Sequence, residues 1–165
     1  MDKGHKRIGE ILLEKGWITE GQLHDALTEQ KLSDKFLGAI LVGRGWITDE
    51  NLLEALSVQF AIPVISFKGQ YIDMELARKF SSSLIVDHKC FPVSATEDTV
   101  TVAIVNPLNA VAISKIEEEA RPKRTRLVLV SEQELKEVVQ SYKKYISESI
   151  QRLLRKDKPP TQGTV

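Results

Sequence analysis

RIGEILLEKGWITEGQLHDALTEQ (residues 7–30) and FLGAILVGRGWITDENLLEALSVQ (residues 36–59) are two copies of one pattern. Aligned without gaps at an offset of 29, they agree at 11 of 24 positions. The shared residues are Gly9/Gly38, Ile11/Ile40, Leu12/Leu41, Gly16/Gly45, Trp17/Trp46, Ile18/Ile47, Thr19/Thr48, Leu23/Leu52, Ala26/Ala55, Leu27/Leu56 and Gln30/Gln59. An ungapped block of this quality does not arise by chance. It is an internal repeat, and it organises the first third of the chain.

Each copy parses as helix, turn, helix. Ile8, Ile11 and Leu12 share one face of a short first helix. Gly16 and Gly45 stand where a left-handed helix stop favours a residue without a β-carbon. Thr19 and Thr48 follow as N-caps of the next helix, and Gln22, three residues after Thr19, allows a capping box. Asp49 and Glu50 put acids in a first turn, where the helix dipole favours them. Leu23, Ala26, Leu27 and Gln30 recur at helical spacing, as do Leu52, Ala55, Leu56 and Gln59, so each second helix turns one apolar stripe inward and ends it with a glutamine. Gly9 and Gly38 lie inside helical patterns, where glycine costs about 1 kcal/mol against alanine. Retaining that cost twice implies close backbone approach, by another helix or by a ligand. A two-fold repeat fits a ligand with two matching halves; it also fits a plain duplicated hairpin that is stable only when paired.

From Ile62 the pattern changes. Pro63 ends the helical run, and PVISF (63–67) reads as a short strand. DMELARKF from Asp73 reads as a short helix, and SSSLIVDHKC as a turn leading into an extended piece. CFPVSATEDTVTVAIV holds two strands joined at ATEDT, NPLN (106–109) is a turn, Ala110–Ala120 is helical, and TRLVLV (125–130) is a further strand. Ser131 then N-caps the last helix, with Glu134 completing a capping box. The fold class expected is α+β: an N-terminal helical tandem-repeat subdomain (1–60) packed on a small α/β sandwich (61–146), with a long C-terminal helix running into a helical extension and disordered tail (147–165). In that helix Leu135, Val138, Val139, Tyr142, Tyr145, Ile146, Ile150, Leu153 and Leu154 keep one apolar stripe. Its far end protrudes to dock a partner, or else frays or packs back on the N-terminal helices.

Composition excludes several function classes. Among 165 residues Lys plus Arg and Asp plus Glu are both 23, so no global charge drives the chain toward DNA, RNA or an anionic membrane. Any anion site has to be local. Cys90 is the single cysteine, which rules out an intramolecular disulfide and a thiolate zinc cluster, and beside Phe91 it reads as a small buried apolar residue. The N-terminal MDKGHKRIGE has no signal-peptide core, and no apolar run reaches the roughly 20 residues of a spanning helix. A cytoplasmic location is expected. There is no glycine-rich phosphate loop, and His5, His24 and His88 lack metal-ligand spacing. Ser81, Ser82 and Ser83 lack a nucleophile-elbow context, and Asp87-His88-Lys89 reads as a solvated loop. A binding module is expected rather than an enzyme.

The repeat, in the form RLGxxLxxxGxxxxxxLxxxLxxQ twice with the five-residue spacer KLSDK (31–35), resembles the MshEN domain found at the N-terminus of type II secretion and type IV pilus ATPases. QFAIPVISF and CFPVSATEDTVTVAIVNPLN resemble the later parts of the same family. The resemblance covers about residues 5–145. It implies a bacterial regulatory module, here without the ATPase, that binds cyclic di-GMP with one guanine half on each motif and meets a protein partner in a secretion or pilus system; no catalytic residue, metal or other cofactor is implied. An adaptor of such a system that has lost its ligand is the alternative. Carried over by position, the ligand-binding set is Arg7, Ile8, Gly9, Ile11, Leu12, Gly16, Trp17, Leu23, Leu27 and Gln30 from copy one. Copy two adds Phe36, Leu37, Gly38, Ile40, Leu41, Gly45, Trp46, Leu52, Leu56 and Gln59, and the turn adds Asn106. Arg7 offers a fork of donors to guanine or phosphate, and the glutamines bond in both senses. This chain departs from the family at two of these positions. Phe36 stands where a basic residue is usual and offers a stacking face, and Asn106 replaces the Asp of Asp-Pro and keeps an acceptor.

Overall fold

The structure, a computed structural model, describes residues 6–156. The tail expected to be disordered begins beyond them. Helices α1 (Ile8–Glu14) and α2 (Glu20–Lys31) form the first hairpin; α3 (Leu37–Gly43) and α4 (Asp49–Phe60) form the second. The stops are those the glycines predict. Gly16 and Gly45 both have φ +69°. In each copy the glycine N–H reaches back to the residue three before it, and the following tryptophan N–H to the residue five before it: Gly16 to Leu13 at 2.9 Å and Trp17 to Leu12 at 3.0 Å, Gly45 to Val42 at 2.9 Å and Trp46 to Leu41 at 3.1 Å. These bonds satisfy carbonyls that the helix end would otherwise leave open. Thr19 and Thr48 cap the next helices, and both boxes close, with Gln22 and Asn51 accepting the threonine N–H at 2.9 and 3.1 Å.

The hairpins interlock. α1 packs on α4, and α3 packs on α2, so each copy's first helix is covered by the other copy's second. Ile11, Leu12, Ile18, Ala26, Leu37, Ile40, Leu41, Ile47 and Ala55 bury into one core. Outside it, Lys15 lies over the Trp17 ring at 4.8 Å and its counterpart Arg44 over Trp46 at 5.5 Å. The same cations pair across the hairpins, Lys15 with Glu54 at 2.5 Å and Arg44 with Glu29 at 2.6 Å.

The sandwich is a three-stranded sheet with helices α5 (Met74–Ala77), α6 (Ala110–Ala120) and α7 (Glu132–Lys156). Strands β1 (Cys90–Ala95) and β2 (Thr99–Ile104) pair antiparallel, with the register slipping between Pro92 and Ser94. Strand β3 (Arg124–Leu129) pairs parallel to β2, with α6 as the crossover. Phe91, fully buried, meets Phe67 and Tyr142 edge-on at 6.0 and 6.1 Å and ties the sheet to α7.

Three local expectations differ. PVISF makes one parallel bridge, Val64 to Leu129, rather than a strand. Pro63 has no N–H to give, and Glu134 draws the next residues out of the sheet: it accepts Phe67 N–H at 2.6 Å and Ser66 Oγ–H at 2.9 Å. The same carboxylate is therefore not the second half of a capping box; Ser131 Oγ still accepts Glu134 N–H at 3.2 Å. Residues Ser83–Asp87, expected as a turn, wind one π-helical turn that buries Leu84 and Ile85.

Candidate functional site

A cleft of about 1000 Å³ runs between the helical repeat and the sandwich. The two cores meet beside it, where Ile8 and Leu52 pack against both and Leu56 joins the sandwich core. From copy one the cleft is lined by Arg7, Ile8, Gly9, Leu23, Leu27 and Gln30; from copy two by Phe36, Leu37, Gly38, Leu52, Leu56 and Gln59. Each residue of the first set lies 29 before its counterpart in the second. With Glu10 and Ala39, which also border it, seven equivalent pairs thus converge on one shared cavity rather than on two separate clefts.

The remaining sequence-selected residues are placed elsewhere. Ile11, Leu12, Ile40 and Leu41 are no more than 3% exposed and sit inside the helical core, because the same stripe that faces the cleft at its edge faces the other hairpin at its centre. Gly16 and Gly45 serve the helix stops, with open space around them. Trp17 and Trp46 lie against that core under Lys15 and Arg44. None of these eight borders the cleft.

Gly9 and Gly38 line the cavity, and their missing β-carbons are explained by packing. A Cβ on Gly9 would lie 2.9 Å from Leu23 Cδ1, and one on Gly38 would overlap Leu52 Cδ1. The leucines of the second helices fill the space over the glycines and line the same cleft.

The opposite wall comes from the sandwich. His88, Lys89, Asn106, Leu108, Asn109, Ala112, Ile113 and Glu132 border the cavity. Of these, sequence reasoning found Asn106 alone. Its Oδ1 accepts Leu108 N–H at 2.9 Å, which commits one of its two lone pairs to the turn; the other and the amide N–H groups remain. Asp87-His88-Lys89, expected as a plain solvated loop, instead forms part of the rim. Lys89 has φ 51° and its ammonium pairs with Glu132 at 2.5 Å. Cys90, behind it, is 1% exposed, and burial pushes its thiol up to about 12. At neutral pH it is an inert apolar wall.

On charge the two halves of the cleft differ. Arg7 and Glu10 stand in copy one where Phe36 and Ala39 stand in copy two. Glu10 accepts Arg7 N–H at 3.0 Å. Among the described residues the Arg7 guanidinium takes part in no ion pair. The lining thus combines apolar faces with the amides of Gln30, Gln59, Asn106 and Asn109 and the Arg7 guanidinium fork, the mixture of apolar wall and few polar groups usual in small-molecule pockets.

A duplicated helical hairpin set against a small sandwich across a shared cleft defines a two-part α+β fold. The sequence model of the MshEN domain matches residues 60–156, more than half of the chain, and the chain belongs to that family. The structure of MshE with cdg, that is cyclic di-GMP, is similar at 25% identity and a TM-score of 0.76, covering 83% of this chain and 99% of that one. That coverage is more than residues 60–165 alone supply, so the likeness extends into the repeat. The N-terminal domain of XpsE shares the fold at 17% identity and a TM-score of 0.63, covering 81% of this chain and 92% of that one. No curated protein matches the sequence.

Proposed function

We propose that this chain is a cyclic di-GMP-binding regulatory module related to the N-terminal domains of secretion and pilus ATPases, working by binding and not by catalysis. The observation that carries the reading is the convergence of seven repeat-related residue pairs on one cavity. Cyclic di-GMP has two identical halves, and a duplicated wall offers each half a leucine-covered floor and a glutamine. The cavity, about 1000 Å³, stands at the upper end of the range for small-molecule sites. MshE, similar over most of the chain, is solved with this ligand. Arg7 supplies charge-assisted bonds to a guanine edge or a phosphate, and Gln30 and Gln59 complete the polar contacts. Bound ligand bridges the repeat and the sandwich, so binding favours the closed arrangement of the two.

Titration calorimetry with cyclic di-GMP tests this. The expected result is micromolar or tighter binding, weakened about tenfold or more by Arg7→Ala, the loss of one charge-assisted bond, and weakened also by Gln30→Ala. An absence of heat from protein with an intact circular dichroism spectrum would falsify it. That outcome would leave a second reading, an adaptor without ligand. The far end of α7 favours it, since Ile150, Leu153 and Leu154 are 52 to 65% exposed there.

A further inference from the structure

The repeat wall of the cleft is built from equivalent positions that differ in chemistry between the two copies. Where copy one places Arg7 and Glu10, copy two places Phe36 and Ala39. Copy two brings no Lys or Arg to the cavity lining, and the Lys89 ammonium, which comes from the sandwich, is held by Glu132 at 2.5 Å. The second half is also drier, with Leu56 at 6% exposure against 40% for its counterpart Leu27. One half therefore reads hydrogen-bonding edges with a charged fork, and the other offers aromatic and aliphatic faces and Gln59.

These two kinds of contact discriminate differently. A guanidinium fork fits the O6/N7 pair of guanine and meets a donor instead of an acceptor on adenine. Stacking on an aromatic ring accepts any base, because every base has a π-face. A glutamine amide serves either purine, since it both donates and accepts.

Resting on the proposed reading of this cleft as a cyclic dinucleotide site, we infer that it recognises one guanine and tolerates either purine in the other half, so that the mixed 3′,5′-linked cyclic GMP–AMP is a ligand alongside cyclic di-GMP. Arg7 sets the guanine requirement. Phe36 is the residue that relaxes it in the second half.

The test is a parallel calorimetric titration of the full chain with cyclic di-GMP, 3′,5′-linked cyclic GMP–AMP and cyclic di-AMP. One bidentate base contact discriminates by about fivefold or more, so fivefold is the dividing line. The mixed ligand is expected within about fivefold of cyclic di-GMP, and cyclic di-AMP more than about fivefold weaker than either. Phe36→Arg, which copies the Arg7 position into the second half, is expected to push the mixed ligand more than about fivefold below cyclic di-GMP. Tryptophan fluorescence confirms that the variant folds. A mixed ligand that binds the unaltered chain more than fivefold more weakly than cyclic di-GMP overturns the inference and leaves the cyclic di-GMP reading standing. Equal binding of cyclic di-AMP, or a folded Phe36→Arg variant with unchanged preference, overturns it as well. If none of the three ligands binds, the functional reading itself fails and this inference with it.

Discussion

Replacing Gly38 by alanine should destabilise the helical repeat, although the same change in an exposed helix stabilises by about 1 kcal/mol. The added Cβ overlaps Leu52 Cδ1 and stands 3.1 Å from Cδ2 and 3.4 Å from Cγ. Leu52 is half-buried and touches both cores, so moving it disturbs packing on two sides. Overpacking of this kind costs about 1–3 kcal/mol, which outweighs the propensity gain by about 1 kcal/mol. In a Leu52→Ala background the obstruction is gone, and Gly38→Ala should become stabilising by about 1 kcal/mol. The coupling in the cycle is thus about 2 kcal/mol. Gly9→Ala, whose nearest Leu23 atom is 2.9 Å away, should cost less, and Gly43→Ala, with nothing within 4 Å, should be neutral or stabilising. Urea unfolding followed by intrinsic fluorescence is the assay. Both tryptophans, Trp17 and Trp46, lie in the repeat, so the signal reports on it directly. With urea slopes of about 1–3 kcal/mol per molar, a 1 kcal/mol change moves the midpoint by about 0.3–1 M. The reasoning is refuted if Gly38→Ala raises the midpoint of the unaltered protein, or shifts both backgrounds equally.

Other consequences follow from single contacts. Thr19→Ala and Thr48→Ala each remove a cap and should lower the same fluorescence midpoint, by about 1 kcal/mol apiece. Glu134→Ala frees Phe67 N–H and Ser66 Oγ–H and should cost about 1.5–3 kcal/mol in urea unfolding followed by near-ultraviolet circular dichroism; Glu134→Gln should recover part of it. Cys90 gives a pH dependence of defined sign. Its thiol is raised by burial from 9.0 to about 12 in the folded protein. Across that window the unfolded chain loses its proton and the folded chain keeps it, so this group's contribution to stability falls as pH rises, by about 1.4 kcal/mol per pH unit. Cys90→Ala should flatten that alkaline slope in denaturation curves taken from pH 9 upward, and an unchanged slope would show that the thiol is not the group responsible.

What could be read from the chain itself followed from how local each signal is. Helix stops and caps are written within seven consecutive residues, at Gly16–Gln22 and Gly45–Asn51, and duplication states them twice. The fold class and the β1–β2 hairpin are similarly local, one set by periodicity and the other by β-branched runs. The segment 63–67 has strand propensity, but its hydrogen bonds are decided by Glu134, nearly seventy residues away, and no neighbouring residue announces that. The same reason hid the sandwich wall of the cleft. His88 and Lys89, from a loop whose composition resembles any solvated turn, and Glu132, at the start of α7, reach the cavity through tertiary packing. Within the repeat, helical period alone could not separate Leu12 and Leu41, which face the other hairpin, from Leu23 and Leu52, which face the cavity. Both pairs lie on apolar stripes; they differ in which helix carries them and in what lies opposite.

The crossed packing of α1 on α4 and α3 on α2 means that each copy's own second helix covers its first helix only in part, the rest being covered by the other copy. A polypeptide carrying one copy would expose that helix until a second molecule supplied the missing cover, and two such molecules would meet about a dyad. Joining them through Lys31–Lys35 places both partners on one chain and makes their association independent of concentration. It also frees each half to mutate alone, which is how an arginine on one side can come to face a phenylalanine on the other.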